Sequence, residues 1–400
     1  MKDTKKPKIR FKEFNDSWEQ RKLGDVAPLR GGYAFKSSEY KKDGTPIVRI
    51  SNILPDGSIG ADFACYGDME NDEKFSLRNG DALLAMSGAT TGKVSILKCK
   101  NTDKYYQNQR VGYFERNIQY NYDFVSTIVR SDLFKEQLMS VLVAGAQPNV
   151  SSKEIDSFEF VFPLSIEEQK KIGQYFANLD NLITLHQREC EKLLCFKKSM
   201  LEKMFPKNGE KYPEIRFSGF TDSWEQRKFS ETAQRESAAR KSSTDFPSVE
   251  YEDVVSEFGI LNKDVRLKET QKTGIIFDGS QVLYGKLRPY LHNWLSPDFS
   301  GVAVGDWWVL KPVNVDKIFL FRLIQTKKFD DIANQSSGSK MPRADWNLLS
   351  NTEFMVPAEI EEERKIGQYF SELDNLITLH QREVDKLAKL KKSMLEKMFV

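Results

Sequence analysis

Cysteine and histidine are scarce in this sequence, and neither is spaced for metal binding or catalysis. The four cysteines lack paired spacing, which excludes a disulfide framework or a zinc ribbon and predicts free thiols. Two of the three histidines, His186 and His380, fall on an apolar helical stripe, and His292 stands alone. We therefore expect all three to be structural, and we expect no metal site.

Long hydrophobic runs and an excess of charge of one sign are also missing. No apolar run approaches the roughly 20 residues that a membrane helix needs. The opening residues MKDTKKPKIRF have no apolar core, so they do not resemble a secretory signal, and we expect a cytoplasmic location without membrane contact. The net charge of +2 does not by itself indicate nucleic-acid binding. Any DNA-binding surface must therefore arise when folding sorts basic groups onto one face.

Catalytic motifs are absent as well. The sequence contains no HExxH, CxxC, GxSxG or Walker A pattern. The segment GATTGKV (Gly88–Val94) resembles a phosphate-binding loop, but it has three residues between its glycines and Val94 after the lysine. We read it as a tight turn between two strands. The chain is therefore predicted to bind rather than to catalyse, and to hold no cofactor itself.

An internal duplication organises the chain. Residues 9–27 match residues 215–233 at 12 of 19 positions, and residues 167–205 match residues 361–399 at 30 of 39. Between the repeats lie two blocks without such likeness. The plan is a short repeat, a variable block and a long repeat, followed by the same three parts again. Joining the two chain ends would recreate the internal junction, which predicts a circular organisation with a pseudo-twofold axis.

Each long repeat reads as a helix with a heptad seam of the coiled-coil type. We assign to the seam Ile172, Phe176, Leu179, Ile183, His186, Leu193 and Met200, and in the second copy Ile366, Phe370, Leu373, Ile377, His380, Leu387 and Met394. At 1.5 Å per residue each helix would be roughly 58 Å long. Ser165 and Glu168 have the spacing of a capping box. Gly173 and Gly367 indicate either close approach of another backbone or a tolerated defect.

The predicted fold class is α+β. Two α/β domains are separated by an antiparallel coiled coil of two long helices. The predicted segments are 1–163 for the first domain, 164–206 for the first helix, 207–357 for the second domain and 358–400 for the second helix.

These repeats carry a resemblance to a known family. DSWEQRK occurs twice (16–22 and 222–228), and KIGQYF opens both long repeats. With two unlike blocks, this pattern resembles the specificity subunit of a type I restriction–modification system. The resemblance implies that the blocks are target recognition domains for a bipartite, asymmetric site in double-stranded DNA. Two copies of the methyltransferase subunit and the restriction/translocase subunits would be partners, and S-adenosylmethionine, ATP and Mg would bind to those partners.

In that family, loops ahead of the long helices lie near DNA, and this chain offers corresponding loops in each block. The candidate DNA contacts are Ser87, Thr90, Thr91, Lys93, Tyr106, Gln107, Asn108, Arg110, Gln147 and Asn149 in the first block, and Lys286, Arg288, Tyr290, Lys340 and Arg343 in the second. Amide and guanidinium groups suit base edges in the major groove.

A different class of function stays open from the residues. Because both blocks are nearly neutral, the chain could be an adaptor that presents two protein-binding domains on a coiled coil and never meets DNA. The DNA-reading interpretation makes a stronger demand. It requires two readers at fixed separation, since accessible major-groove faces recur every 34–36 Å or so.

Overall fold

The computed structural model describes residues 6–54, 57–142, 149–207, 209–268, 271–335 and 341–399. The chain divides into two compact units. Unit 1 comprises residues 1–185 and 383–400, and unit 2 comprises residues 186–382. Among the described helices, none combines the length and the apolar character that crossing a membrane requires.

Unit 1 begins with the short repeat and contains the first block. Its strands are β1 (Trp18–Lys22), β2 (Leu29–Arg30), β3 (Thr45–Val48), β4 (Ala64–Tyr66), β5 (Ser76–Leu77), β6 (Ala82–Ala85), β7 (Val94–Ile96), β8 (Tyr105–Gln107), β9 (Val111–Phe114) and β10 (Glu159–Pro163). Its helices are α1 (Leu23–Val26), α2 (Tyr122–Ile128), α3 (Asp132–Leu142), α4 (Ser152–Asp156) and the first half of α5 (Ile166–Lys203).

Unit 2 has a closely similar succession of elements. Its strands are β11 (Glu225–Lys228), β12 (Ala233–Arg235), β13 (Ala239–Lys241), β14 (Ser248–Val249), β15 (Val254–Val255), β16 (Ile260–Leu261), β17 (Thr273–Phe277), β18 (Val282–Gly285), β19 (Trp294–Leu295), β20 (Gly301–Ala303), β21 (Trp307–Pro312) and β22 (Glu353–Val356). Its helices are α6 (Phe229–Thr232), α7 (Lys317–Leu323), α8 (Lys327–Ala333), α9 (Trp346–Asn351) and part of α10 (Ile360–Met398).

The two variable blocks share the plan of their first sheet although their sequences differ. Unit 1 has a four-stranded sheet of order β2-β9-β6-β7, and unit 2 has the order β12-β21-β18-β19. A second sheet reads β4-β3-β8-β5 in unit 1 and β13-β17-β20-β14 in unit 2, and each contains one parallel pair. Strand β1 pairs with β10 as β11 pairs with β22. In the second sheet β3-β8-β5 corresponds to β14-β20-β17, but the fourth strand lies on opposite edges, β4 beside β3 and β13 beside β17. The blocks therefore share the first sheet and three strands of the second.

The long helices pair in antiparallel fashion inside each unit. In unit 1 the Phe176 and Phe399 ring centroids lie 5.8 Å apart, and Asp180 bonds to Lys391. The contacts therefore move towards lower numbers in the second long repeat as they move towards higher numbers in α5. In unit 2 Asp374 contacts Lys197, and His380 meets His186 with 2.9 Å between their Nδ1 atoms. The predicted α+β fold with two long paired helices is confirmed. The units differ from the predicted segments in that each helix is divided between both of them.

All fourteen seam residues are buried or half-buried, and many pack on the block as well as on the other helix. Core residues of unit 1 include Ile172, Phe176 and Leu179, with Leu387 and Met394 against them. In unit 2 Ile366, Phe370, Leu373 and Ile377 are buried, and Leu193 and Met200 pack against the core; Ile183 in unit 1 is half-buried. The seam thus also fastens each block to the helix pair.

An aspartate in each long helix gathers two cations. Asp180 Oδ2 accepts from Arg130, two residues after α2, at 2.6 Å, and its other oxygen accepts from Lys391. In unit 2 Asp374 contacts Arg322 at 2.6 Å and Lys197 at 2.7 Å. Burial opposes ionisation of Asp180, but Arg130 and Lys391 outweigh it and lower its pKa. Lys197 and Lys391, which fall at heptad positions among the apolar seam residues, are therefore ion-pair partners of these aspartates.

A glutamate in the first turn of each long helix is held by the short repeat. Glu168 accepts from Arg10 Nε at 2.6 Å and Arg10 Nη2 at 2.8 Å, and the Trp18 indole donates to it at 3.4 Å. Glu362 accepts from Arg216 at 2.7 and 2.8 Å and from Trp224 at 3.2 Å. The predicted capping box is therefore only half formed. Ser165 Oγ accepts from the Glu168 backbone N–H, but the carboxylate turns to Arg10.

The circular organisation suggested by the repeats has a direct structural counterpart. The Ile9 N–H donates to the Lys397 carbonyl at 3.0 Å, and the Ile215 N–H donates to the Lys203 carbonyl at 2.9 Å. Each short repeat thus meets the end of a long repeat in the same way. In unit 2 this junction is continuous in sequence, and in unit 1 it joins residues from the two ends of the chain.

Close backbone approach explains the two helix glycines. A Cβ on Gly173 would lie 2.6 Å from the Phe124 backbone nitrogen, and one on Gly367 would lie 3.0 Å from Ile318. The glycines let α2 and α7 dock their N-terminal ends against the long helices. The alternative of a tolerated defect is wrong for Gly173. At Gly367 the nearest atoms belong to the Ile318 side chain, and the Phe319 backbone nitrogen would lie 3.3 Å from the added Cβ.

We predict that Arg216→Ala strongly destabilises unit 2, because it leaves the Glu362 carboxylate, 1% exposed, without its charged partner. Breaking a buried ion pair costs about 3–5 kcal/mol. Thermal and urea unfolding of the full chain measure the loss. The control Arg227→Ala removes a more exposed pair with Glu225 and should cost less than about 1 kcal/mol. If both variants lost the same free energy of unfolding, the Arg216–Glu362 ion pair would not have this role.

The second long helix also carries a buried carboxylate where the first has an amide. Gln169 donates to the Pro163 carbonyl and accepts from the Asn121 N–H, each at 2.9 Å. Glu363 occupies the equivalent place and accepts from the Asp316 N–H at 2.5 Å. Burial raises the pKa of Glu363 to about 7. The hydrogen bond from the Asp316 N–H and the charges of Arg227 and Arg364 oppose the shift, while the charge of Asp316 adds to it.

Because this folded pKa lies above the ordinary carboxyl value of 4.5, the neutral form is favoured in the fold. The free energy of unfolding therefore falls as pH rises from about 4.5 to about 7, because the unfolded chain ionises Glu363 more easily than the fold does. Above about pH 7 this loss of stability stays constant. We predict that Glu363→Gln removes this loss and raises the melting temperature at pH 8 but not at pH 4.5. The exposed Glu361→Gln serves as control and should show no such difference between the two pH values.

Candidate nucleic-acid interface

Two loops predicted to meet DNA lie side by side in unit 1. Ser87, which follows β6, forms an antiparallel bridge with Asn149, just before α4. The Val150 N–H donates to the Met86 carbonyl at 3.0 Å and fixes this register. Gln147 lies outside the described residues. The structure thus brings together Ser87 and Asn149, which are far apart in sequence.

The GATTGK segment is a tight hairpin turn, as expected. It joins the antiparallel strands β6 and β7, and both Gly88 and Gly92 have φ of +85°, which favours glycine. The Thr91 hydroxyl donates to the Gly88 carbonyl at 2.6 Å. Thr90 and Thr91 are half-buried, whereas Lys93 is exposed at the end of the turn.

Two predicted contacts in the first block are wrong. Tyr106 and Gln107 are both 0% exposed. The Tyr106 hydroxyl donates to Asp72 at 2.8 Å, and the Gln107 amide donates to the carbonyls of Arg30 and Val111. Both side chains are enclosed by the protein and use their donors on protein groups, so they cannot face DNA.

Their neighbours remain candidates. Asn108 is half-buried, and its backbone N–H donates to the Val48 carbonyl at 3.1 Å. Arg110 is exposed, and its carbonyl accepts from the Met86 N–H at 3.0 Å, which places Arg110 beside Ser87. The turn, the loop before α4 and Arg110 therefore converge.

Unit 2 repeats this arrangement with different side chains. Leu287 forms an antiparallel bridge with Arg343. The Ala344 N–H donates to the Lys286 carbonyl at 2.8 Å, and the Arg288 N–H donates to the Pro342 carbonyl at 2.7 Å. Lys340 lies outside the described residues. The predicted residues Lys286, Arg288 and Arg343 therefore come from two segments that are joined through their backbones.

Tyr290 projects from a short helical turn, Pro289–Leu291, and is 52% exposed. Residues with left-handed φ flank the turn: Arg288 at +49° and His292 at +52°. The His292 ring lies between Glu257 and Asp330, with nitrogen–oxygen distances of 3.3 and 3.0 Å. It therefore holds the base of this loop.

Sequence reasoning missed two residues of this site. Asp306 contacts Arg343 through Nε at 3.3 Å and Nη2 at 3.1 Å, and Lys286 Nζ lies 3.6 Å away. The hydrogen bond from Arg343 lowers the pKa of Asp306 and keeps it ionised. The second residue is Tyr251, whose hydroxyl donates to the Asp306 carbonyl and accepts from the Leu287 N–H. Burial raises the pKa of the Tyr251 hydroxyl. One signal was available: Asp306, like Arg110, directly precedes an apolar strand.

Metal binding finds no support in the part of the chain that the structure describes. Within it, no three or more His, Cys, Asp or Glu side chains are grouped in a way that could hold a metal ion.

The sequence and the fold both match known proteins. The sequence profile of the type I restriction modification DNA specificity domain matches residues 15–194 and 294–389. The MjaVIII specificity subunit of Methanocaldococcus jannaschii is 27% identical over 195 residues, which cover 47% of this chain and 45% of that protein. The putative MjaX specificity subunit of the same organism is 23% identical over 97% of this chain and 94% of its own length.

Solved structures show the same fold. The S subunit of a type I restriction–modification system from M. genitalium superposes with a TM-score of 0.64 at 14% identity, covering 99% of both chains. A chain from a study of the assembly and conformational transition of the type I system gives 0.52 at 14% identity over 96% of this chain and 98% of its own. The profile match spans more than half of the chain, and this protein therefore belongs to the family of type I restriction–modification DNA specificity subunits.

Proposed function

We propose that this chain is the DNA-reading subunit of a type I restriction–modification complex and recognises a bipartite, asymmetric target. The observation that carries the proposal is the paired-loop site present in each unit. The same backbone bridges hold Ser87 against Asn149 and Leu287 against Arg343. One architecture that presents unlike polar side chains suits two half-sites of different sequence.

The charge of the two sites is compatible with this function. Exposed cations, Lys93 and Arg110 in unit 1 and Arg288 and Arg343 in unit 2, stand beside the bridges. Such groups bind phosphates and supply affinity, while amides and guanidinium groups read bases. The near-neutral net charge of +2 is therefore no objection, because folding collects basic groups at the loops.

Catalysis in this proposal belongs to the partners. Two methyltransferase subunits would bind S-adenosylmethionine, and restriction/translocase subunits would use ATP and Mg, all in the cytoplasm. We predict that the purified chain alone transfers no methyl group to DNA, and that adding the methyltransferase subunit gives N6-methyladenine. Radiolabelled S-adenosylmethionine measures both reactions. Robust transfer by the chain alone would contradict the division of labour, and absence of DNA binding by the complex would favour the adaptor alternative.

The long helices offer a matched pair of surfaces for the methyltransferase. In unit 1 Leu182 and Leu185 are 44% and 53% exposed, and in unit 2 Leu376 and Leu379 are 45% and 54% exposed. Leucines three apart share one helix face. Exposed apolar side chains that recur at the same repeat positions suit two copies of one partner.

We predict that the double variant Leu185→Asp, Leu379→Asp weakens methyltransferase binding about tenfold or more, since charge in an apolar contact removes a central anchor. Calorimetry with the purified subunits measures the affinity. As control, Leu267→Asp alters an 80% exposed leucine on the second block and should leave binding unchanged. If Leu267→Asp weakened binding equally, the exposed leucines of the long helices would not be the methyltransferase-binding surface.

A further inference from the structure

The unit 2 site contains an acidic residue where unit 1 has a basic one. In unit 1 the Met86 N–H donates to the Arg110 carbonyl, and in unit 2 the Lys286 N–H donates to the Asp306 carbonyl. Arg110 and Asp306 thus hold equivalent backbone positions. An acid in a surface that meets DNA repels phosphate, so its presence needs a specific reason.

The carboxylate fixes the orientation of an exposed arginine. Asp306 Oδ1 and Oδ2 accept from Nε and Nη2 of Arg343 at 3.3 and 3.1 Å. This side-on contact uses one edge of the guanidinium plane. The end-on edge, formed by Nη1 and the second Nη2 hydrogen, keeps two parallel N–H donors. Arg343 itself is 52% exposed at its side chain.

Asp306 is in turn fixed by groups that are not exposed. The Tyr251 hydroxyl donates to the Asp306 backbone carbonyl. The Tyr251 ring packs edge-on against Trp307, with ring centroids 4.6 Å apart. Lys286 offsets part of the Asp306 charge at 3.6 Å. Because the Leu287–Arg343 bridge also fixes the arginine backbone, both ends of the Arg343 side chain are restrained.

We propose that Arg343, oriented by Asp306, reads a guanine in the half-site of unit 2. The inference rests on the proposed function. Two parallel donors match O6 and N7 of guanine, both of which are acceptors in the major groove. Adenine presents one acceptor and one donor there, thymine a single acceptor, and cytosine a donor. Arg343 is the specificity-determining residue, and Asp306 is a positioning residue that lowers the entropy cost of the contact.

The test uses the purified complex of the full chain with its methyltransferase subunit and DNA duplexes carrying the mapped target. At each guanine of the unit 2 half-site, one duplex carries 7-deazaguanine, which lacks N7, and another carries inosine, which keeps O6 and N7. We expect 7-deazaguanine at one position to weaken wild-type binding about 5- to 150-fold, and inosine to be tolerated there. Arg343→Ala should be insensitive to 7-deazaguanine at that position.

Two further variants separate reading from folding and from charge. Arg343→Lys keeps the charge but not the fork, so it should retain non-specific affinity without discriminating at that position. Asp306→Asn keeps the backbone bond to Tyr251 and should reduce the discrimination partly. Arg266→Ala, an exposed arginine elsewhere in unit 2, should behave as wild type. Melting temperatures show whether each variant is folded.

Three results would overturn the inference. The first is that the half-site of unit 2 contains no guanine. The second is that Arg343→Ala weakens binding to all duplexes alike, as loss of a phosphate contact would. The third is that Arg343→Ala loses discrimination in the other half-site. A wild-type complex that neither binds nor methylates a bipartite target would instead remove the proposed function, and the inference with it.

Discussion

A buried carboxylate in the first turn of each long helix holds the repeated parts of the protein together. Glu168 and Glu362 are each 1% exposed and each receive an arginine fork and an indole N–H from the short repeat. A carboxylate at a helix N-terminus is favoured by the helix dipole, but burial makes it costly without a matched cation. Neither arginine nor tryptophan can therefore change alone. This coupling accounts for the arginine and the tryptophan that both short repeats contain.

With the helix starts fixed in this way, the blocks are free to differ in the residues that matter for recognition. Both use the same order in the first sheet, and both join the loop after a central strand to the segment ahead of the last short helix. Backbone bonds set the register of that junction, so different side chains can stand on the same backbone. Unit 1 presents serine, asparagine and arginine there, while unit 2 presents lysine and an arginine–aspartate pair.

The sequence predicted the duplication, the two long helices, their antiparallel pairing and the loops that converge. It could not show that the unlike blocks share the first sheet and three strands of the second, because backbone hydrogen bonds tolerate many side chains and leave no matching sequence. Tyr106 and Gln107 were misplaced for a related reason. A polar residue beside a bend looks the same in sequence whether it faces solvent or satisfies buried carbonyls. Asp306 was missed because its role depends on Arg343, which lies 37 residues further along the chain.

We propose that one repeated frame carries two independent DNA readers. Methylation mapping in a host that expresses the methyltransferase subunit tests it most directly, with the native chain compared with one whose residues 234–360 come from another specificity subunit. We expect one asymmetric bipartite N6-methyladenine motif for the native chain, and a motif altered in one half only after the exchange. A change in both halves, or a single contiguous motif, would contradict it.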